Sequence, residues 1–372
     1  MSLLIQALRY HGQQDVRVEY VEAQPCRKDD VRVKIAYCGI CGSDVHEYLG
    51  GPIFPPPPGQ KNPHTGVQLP VIMGHEMSGT IVEVGSSITE FKIGQNVAIN
   101  PSMDDRHHGN VECSICQSGR PHLCKSWACY GLSAHGGGLA DEIVVKPFNC
   151  IPVPEGVSLK VAALAEPLAV ASHLIRISGF YPGHDVVILG AGPIGLALLL
   201  LLKVKGARKI IISEVTESRS RQAERFGADM VVNPLAETSD EAGSENLVLN
   251  AAQSIMGDGA DIAFDATGIQ STLDTALLVV KPGGVVFNVA IHEKPLLINP
   301  NSFSFKEVKL MGGICYTNED FEDVLEYLAS GKLAAEDMIT SIVPLEKVVQ
   351  NGFLELINNK AGHVKILIQP SK

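Results

Sequence analysis

The sequence predicts an α/β protein of two domains, a β-rich one followed by a doubly wound, parallel-sheet one. Three observations predict it. Up to about residue 150, short β-branched or alternating runs are punctuated by Gly and Pro. From Val186 the rhythm changes to strand, helix, strand, the pattern of a parallel sheet with helical crossovers. The chain is 372 residues long and 45% hydrophobic, too long for one typical core and apolar enough to fill two.

In the first part, Val31–Ala36, Thr80–Val84, Asn96–Ile99 and Glu142–Val145 read as strands. Seven prolines between Gly50 and Pro70 (at 52, 55, 56, 57, 58, 63 and 70) exclude regular structure there. That stretch is either a surface excursion or a stiff wall beside a site. Val186–Gly190 reads as a buried strand, Ile194–Lys205 as a helix, Ile210–Glu214 as a second strand and Ser218–Phe226 as a second helix. Met230–Asn233, Ile262–Ala266, Val285–Ala290 and Lys309–Gly312 supply four more strands, and six strands with crossovers make a doubly wound sheet. Asp320–Leu328 reads as a helix and Val364–Gln369 as a final strand. There is no internal repeat.

The net charge of −11 and the lack of a Lys/Arg cluster argue against a nucleic-acid partner. The longest uncharged apolar run, Val186–Leu202, is broken by four Gly and Pro residues and is shorter than the roughly twenty residues a bilayer span needs, so no membrane partner is expected. The N-terminal residues carry no secretion pattern, which points to a soluble, cytoplasmic protein. Nine cysteines in that setting read as thiols or metal ligands.

Gly190-Ala-Gly-Pro-Ile-Gly195 follows an apolar strand and opens a helix. Gly190 permits the tight turn, Gly192 the approach of backbone to a pyrophosphate, and Gly195 the packing of helix on strand. Pro193 suits a first helical turn, and the N–H groups from Ile194 onward face the phosphates. Glu214 ends the second strand, where a carboxylate accepts from both ribose hydroxyls and repels a 2′-phosphate. The motif therefore predicts NAD. Arg219 and Arg221 behind it pull the other way, unless Arg219 lies along the adenosine ribose.

Cys41, His75, Glu76 and Glu166 offer sulfur, nitrogen and oxygen donors of the kind zinc takes, but their wide spacing is no local metal motif. They lie in Cys38-Gly-Ile-Cys-Gly-Ser-Asp-Val-His-Glu-Tyr-Leu49, Met73-Gly-His-Glu-Met-Ser-Gly79 and Glu166-Pro-Leu168. These phrases, with Gly51-Pro-Ile-Phe54, Ile177-Ser-Gly-Phe180 and Val364-Lys-Ile-Leu367, resemble the zinc-containing medium-chain alcohol and polyol dehydrogenases. Within that family they most resemble the (R,R)-2,3-butanediol dehydrogenase branch, and the similarity runs through nearly the whole chain.

The resemblance implies a GroES-like catalytic domain over residues 1–165, completed by 342–372, and a Rossmann NAD-binding domain over 166–341. It implies Cys41, His75 and Glu166 as catalytic zinc ligands, with Glu76 as ligand or close neighbour. Ser43 and His46 carry over as a proton relay, and Thr267, Val289 and Ile291 as contacts around the nicotinamide. Cys113, Cys116 and Cys124 match the last three ligands of a structural zinc lobe, but Asn110 stands where the first belongs. Either Asp104, His107 or His108 completes that site, or the lobe holds no metal.

The implied reaction is hydride transfer between NAD and a small secondary alcohol or vicinal diol, (R,R)-2,3-butanediol giving acetoin. The implied assembly is a homodimer or homotetramer. The alternatives are a sorbitol, xylitol or threonine dehydrogenase on the same scaffold, and a non-catalytic dinucleotide-binding protein.

Overall fold

A computed structural model describes residues 3–236, 246–292 and 294–370. The first part of the chain forms β1 (Leu4–Gly12), β2 (Asp15–Glu22), β3 (Val31–Gly39), α1 (Gly42–Gly50), β4 (Val71–Ile72), β5 (Glu76–Val84) and β6 (Asn96–Ile99). After them come β7 (Ser102–Met103), β8 (Ala128–Cys129), β9 (Glu142–Val145), β10 (Cys150–Pro152) and α2 (Ala165–Ile177). An alternation follows: β11 (Asp185–Leu189), α3 (Pro193–Val204), β12 (Lys209–Ser213), α4 (Glu217–Arg225) and β13 (Met230–Val232). It continues through α5 (Leu247–Met256), β14 (Ala260–Asp265), α6 (Gln270–Val279), β15 (Val280–Asn288) and β16 (Lys309–Gly312). The last elements are α7 (Asn318–Ala329), β17 (Ile339–Pro344) and β18 (Lys365–Gln369).

The chain divides into two compact units. One takes the chain through Ala169, then Cys315–Gly331, then everything from Ala335; the other takes Val170–Ile314 and Lys332–Ala334. In the first unit the main sheet runs β10-β6-β5-β3-β18-β17, with β9 also on β3. Strand β5 pairs along most of one edge of β3. The other edge is shared, β9 taking Val31 to Lys34 and β18 taking Cys38 and Gly39. Val31, Val33 and Ile35 point inward at every second position and are wholly buried, with Met77, Ile81, Val97, Ile99, Ile366 and Ile368 in the same cluster. A second sheet, β2-β1-β4, carries the N-terminal strands.

The second unit holds one parallel sheet in the order β13-β12-β11-β14-β15-β16. Counted within the unit this is 3-2-1-4-5-6, the doubly wound dinucleotide-binding order. All five residues of β11 are buried, as a strand covered on both faces requires. Helix α3 buries Leu196 to Leu202 without interruption. Each of the six strands expected from Val186 onward is present. Strands β1, β2 and β17 were not expected from the pattern. No regular element forms between Gly51 and Pro70, as the prolines there dictate.

Candidate active site

Three places gather chemistry-bearing side chains, two in the first unit and one in the second. In the first unit, β3 ends at Gly39 and the chain turns into α1, with Cys41 at its N-cap. Asp44, wholly buried in the first turn, accepts from Cys41 N through Oδ2 at 2.9 Å. Its other oxygen lies 3.5 Å from His75 Nδ1. On the other side of the ring Nε2 faces the start of α1, where Ser43 Oγ stands 3.0 Å away. Burial opposes a charge on His75, but Asp44 and then Cys41 outweigh it and raise its pKa well above the usual histidine range. His46, one helical turn beyond Ser43, is exposed.

Glu76 begins β5 and Glu166 begins α2; they are 1% and 7% exposed, which only paired carboxylates tolerate. Lys365 Nζ, itself buried, donates to Glu76 Oε1 at 2.6 Å and to Ile40 O at 3.2 Å. The remaining Glu76 oxygen lies against Gly39, where any Cβ would overlap it. Tyr316 Oη donates to Glu166 Oε1 at 2.6 Å. Burial first, and the charge of Glu166 second, hold the Tyr316 phenol protonated and so able to donate. Glu166 is itself pushed up to about 7, by burial and then by the Glu76 charge. Two buried carboxylates, one of them paired with a lysine, beside a thiol and an imidazole make a donor set that suits a divalent cation. Buried Glu76 Oε2 has no hydrogen-bond partner, which fits the same reading.

Cys41, His75, Glu76 and Glu166 thus share a neighbourhood. They do not close on one point; Lys365 and Tyr316 each bond one of the carboxylates. Among the described residues only Asp105, Cys113, Cys116 and Cys124 bring their ligand atoms within 4.8 Å of one another. This corrects the sequence expectation for the lobe. Asp104 is turned to Arg106, accepting from its N–H and its guanidinium. His107 Nε2 faces Asn149 Oδ1 at 2.8 Å, and His108 Nε2 faces Ser126 O at 3.0 Å. None of the three reaches the thiols; Asp105 does.

In the second unit the three glycines of the turn differ in what surrounds them. Gly190 has φ of 102° and lies so close to Thr267 that a Cβ would come within 2.6 Å of its hydroxyl. A Cβ on Gly195 would land on Gly190 O, whereas nothing lies within 4 Å of one on Gly192. Open backbone at Gly192, at the N-cap of α3 with Pro193 in its first turn, leaves room for a phosphate on the helix N-terminus. Glu214 accepts from Ala191 N and Thr216 N, each at 2.8 Å, so it also braces the turn. Arg219 lies in the first turn of α4. Thr267 donates to Leu189 O and its N–H bonds the wholly buried Asp265, whose backbone oxygen accepts from Val289 N. Ile291, next along that loop, is 72% exposed.

Sequence reasoning missed five groups. Asp44 lies inside a phrase already singled out and was findable as the carboxylate beside a ligand candidate. Lys365, Tyr316 and Asp105 carried no local signal. His292, which spans from Asn288 Oδ1 to Gly268 O, joins the two loops near Thr267 and Val289.

A parallel dinucleotide-binding sheet and a β-rich unit with buried sulfur, nitrogen and oxygen donors define a metal-assisted nicotinamide-type dehydrogenase. Residues 27–155 match the family described as Alcohol dehydrogenase GroES-like domain, and residues 193–330 match Zinc-binding dehydrogenase. The chain is 38% identical, over 92% of each chain, to (R,R)-butanediol dehydrogenase of Saccharomyces cerevisiae. It is 33% identical to a probable D-xylulose reductase A of Emericella nidulans, over 86% of this chain and 84% of that one. The crystal structure of 2R,3R-butanediol dehydrogenase from Bacillus subtilis superposes with a TM-score of 0.89 at 34% identity, covering 99% of this chain and all of that one. This chain belongs to the zinc-type, medium-chain alcohol dehydrogenase family, with GroES-like and Rossmann parts, and is an oxidoreductase.

Proposed function

We propose that the protein oxidises small vicinal secondary diols with NAD, (R,R)-2,3-butanediol to acetoin first among them. The observation that carries the reading is the cluster at the start of α1. Cys41, His75 Nε2 and the Ser43 hydroxyl lie together, with Asp44 orienting the imidazole. Cys41, His75 and Glu166 would hold a zinc ion, with Glu76 beside it, and the ion would act as a Lewis acid on the substrate oxygen. Ser43 accepts the alcohol proton and passes it outward toward His46, which is exposed to solvent. Lys365 and Tyr316 each donate to one of the two carboxylates and so orient the negative charge beside the reacting oxygen.

Glycines 190, 192 and 195 with Pro193 and Ile194 seat the pyrophosphate, Glu214 and Arg219 the adenosine ribose, and Thr267, Val289 and Ile291 the nicotinamide. Glu214 supports NAD over NADP. Residues 1–165 with 342–372 form the catalytic part and 166–341 the coenzyme part. A second zinc sits on Cys113, Cys116 and Cys124. Nine free thiols suit the reducing cytoplasm, and none of the described helices is long and apolar enough to cross a membrane. The working form is a homodimer or homotetramer.

The substrate rests on the relatives. The butanediol enzymes favour a short diol, while the xylulose reductase favours the second reading, a pentitol. A site that hydrogen-bonds the second hydroxyl of a diol leaves its own polar group unpaired when that hydroxyl is missing, so simple alcohols should be poorer substrates. NADH absorbance with a panel of diols and polyols tests this. The expected result is a higher kcat/KM for 2,3-butanediol than for sorbitol or xylitol, acetoin reduction in reverse, and loss of all turnover to a zinc chelator. A preference for either sugar alcohol would transfer the assignment to the polyol reading.

A further inference from the structure

Resting on the reading that the lobe binds zinc, we infer that Asp105 is its fourth ligand. The lobe is then a three-thiolate, one-carboxylate site built out of register with the cysteines. Asp105 lies five residues before Asn110, the position the cysteine spacing points to. It is 3% exposed. A short helical turn, Asp105–His108, starts at Asp104 and stops at Gly109, whose φ of 65° reverses the chain. Asn110 N then donates to Asp105 O at 3.1 Å. The residue at the vacant position thus fastens the loop that delivers the carboxylate.

The distances separate a metal site from a disulfide and from chance packing. Cys113 Sγ and Cys116 Sγ are 3.7 Å apart, and Cys116 Sγ lies 3.6 Å from Asp105 Oδ2. Bonded sulfurs would be about 2.05 Å apart. Tetrahedral zinc, with Zn–S about 2.3 Å and Zn–O about 2.0 Å, sets ligand edges of roughly 3.8 Å for S···S and 3.5 Å for S···O. Both measured edges match that tetrahedron. Cys113 N donates to Asp105 Oδ2 at 2.9 Å, which orients the carboxylate toward the sulfurs. The helical turn Ser114–Gln117 sets Cys113 and Cys116 on one face, and Cys124 follows the turn Pro121–Leu123. A carboxylate keeps the four negative charges of a four-thiolate site while replacing one soft donor by a hard one.

The test uses the full-length Cys41→Ala protein, so that lobe zinc dominates the metal content. Zinc per chain and its release to a colorimetric chelator are measured, with far-UV circular dichroism for folding. The zinc that Cys113→Ser removes from this background is the lobe's. The expected result is that Asp105→Asn, which keeps the side chain's size, releases lobe zinc at least tenfold faster. Asp105→Cys should hold it as tightly as the parent. The single tryptophan, Trp127, stands three residues after Cys124, and its emission should change as lobe zinc leaves. If Asp105→Asn and Asp105→Ala both release zinc at the parental rate, Asp105 is no ligand and the lobe is held by its thiols alone. If Cys113→Ser removes no zinc from the background, the lobe binds none, and both the lobe reading and the Asp105 assignment fall.

Discussion

Glu214 braces the glycine turn, and in the proposed reading the same carboxylate meets the adenosine ribose. Its two oxygens already accept from Ala191 N and Thr216 N, so it shapes the turn before any coenzyme arrives. Hydrogen bonds to a charged acceptor contribute about 1.5–3 kcal/mol each. Glu214→Ala should therefore weaken NAD binding at least tenfold, as read by titration. It should also narrow the gap between NAD and NADP, because the repulsion of a 2′-phosphate goes too. Wild-type preference for NADP would instead show that Arg219 and Arg221 outweigh the carboxylate. Tyr316 offers a finer probe. Tyr316→Phe removes one hydroxyl from Glu166 Oε1 and leaves the ring, which packs edge-on against Phe321 at 5.0 Å. The loss of one charge-assisted bond predicts about a tenfold fall in kcat/KM with folding intact. An unchanged kcat/KM would show that Glu166 is positioned without it.

At the scale of elements, the coenzyme unit was the more legible half. Its first two strands are short apolar runs closed by Gly190 and Glu214, and β11 is buried at every residue. The β-rich unit showed its central strands but not their order, since antiparallel neighbours such as β3 and β18 meet through only a few residues. The site followed the same divide. Cys41, Ser43 and Asp44 share one phrase, whereas Tyr316 lies 150 residues from Glu166 and Lys365 lies 289 from Glu76. No local pattern encodes such pairs. Asp105 escaped because its ligand spacing follows a loop reversal, not a count along the chain. At the head of β14, Asp261 shows how an element's end sets acid stability. Burial would raise its pKa, but Lys281 Nζ and the Asp185 N–H at 2.9 Å hold it below the usual carboxylate range. His184 also faces it, but burial lowers that imidazole's pKa. With the folded pKa depressed, the stability this carboxylate gives is complete above its unfolded value, near 3.9, and is lost as pH falls through the folded one. Thermal unfolding from pH 7 down to 3 should show a steeper acid limb for wild type than for Asp261→Asn. Parallel limbs would remove Asp261 from the balance.

Across the whole molecule, the β-rich unit is assembled from pieces far apart in sequence, while the coenzyme unit is almost one continuous stretch. Strand β18 fills the place between β3 and β17, and brings Lys365 to Glu76 and to Ile40 O. During synthesis, β3 and β5 therefore leave the ribosome long before the strand that covers them. Until then the Cys38–Gly39 end of one edge of β3 stays open and Glu76 has no lysine. The coenzyme unit, whose partners lie close along the chain, can form meanwhile, because contacts of short sequence separation form faster. On that order the parallel sheet can be complete while Glu76 still lacks its lysine. An uncovered strand edge at that stage invites pairing with other chains. The arrival of one five-residue strand ends that exposure and neutralises the buried acid in the same event.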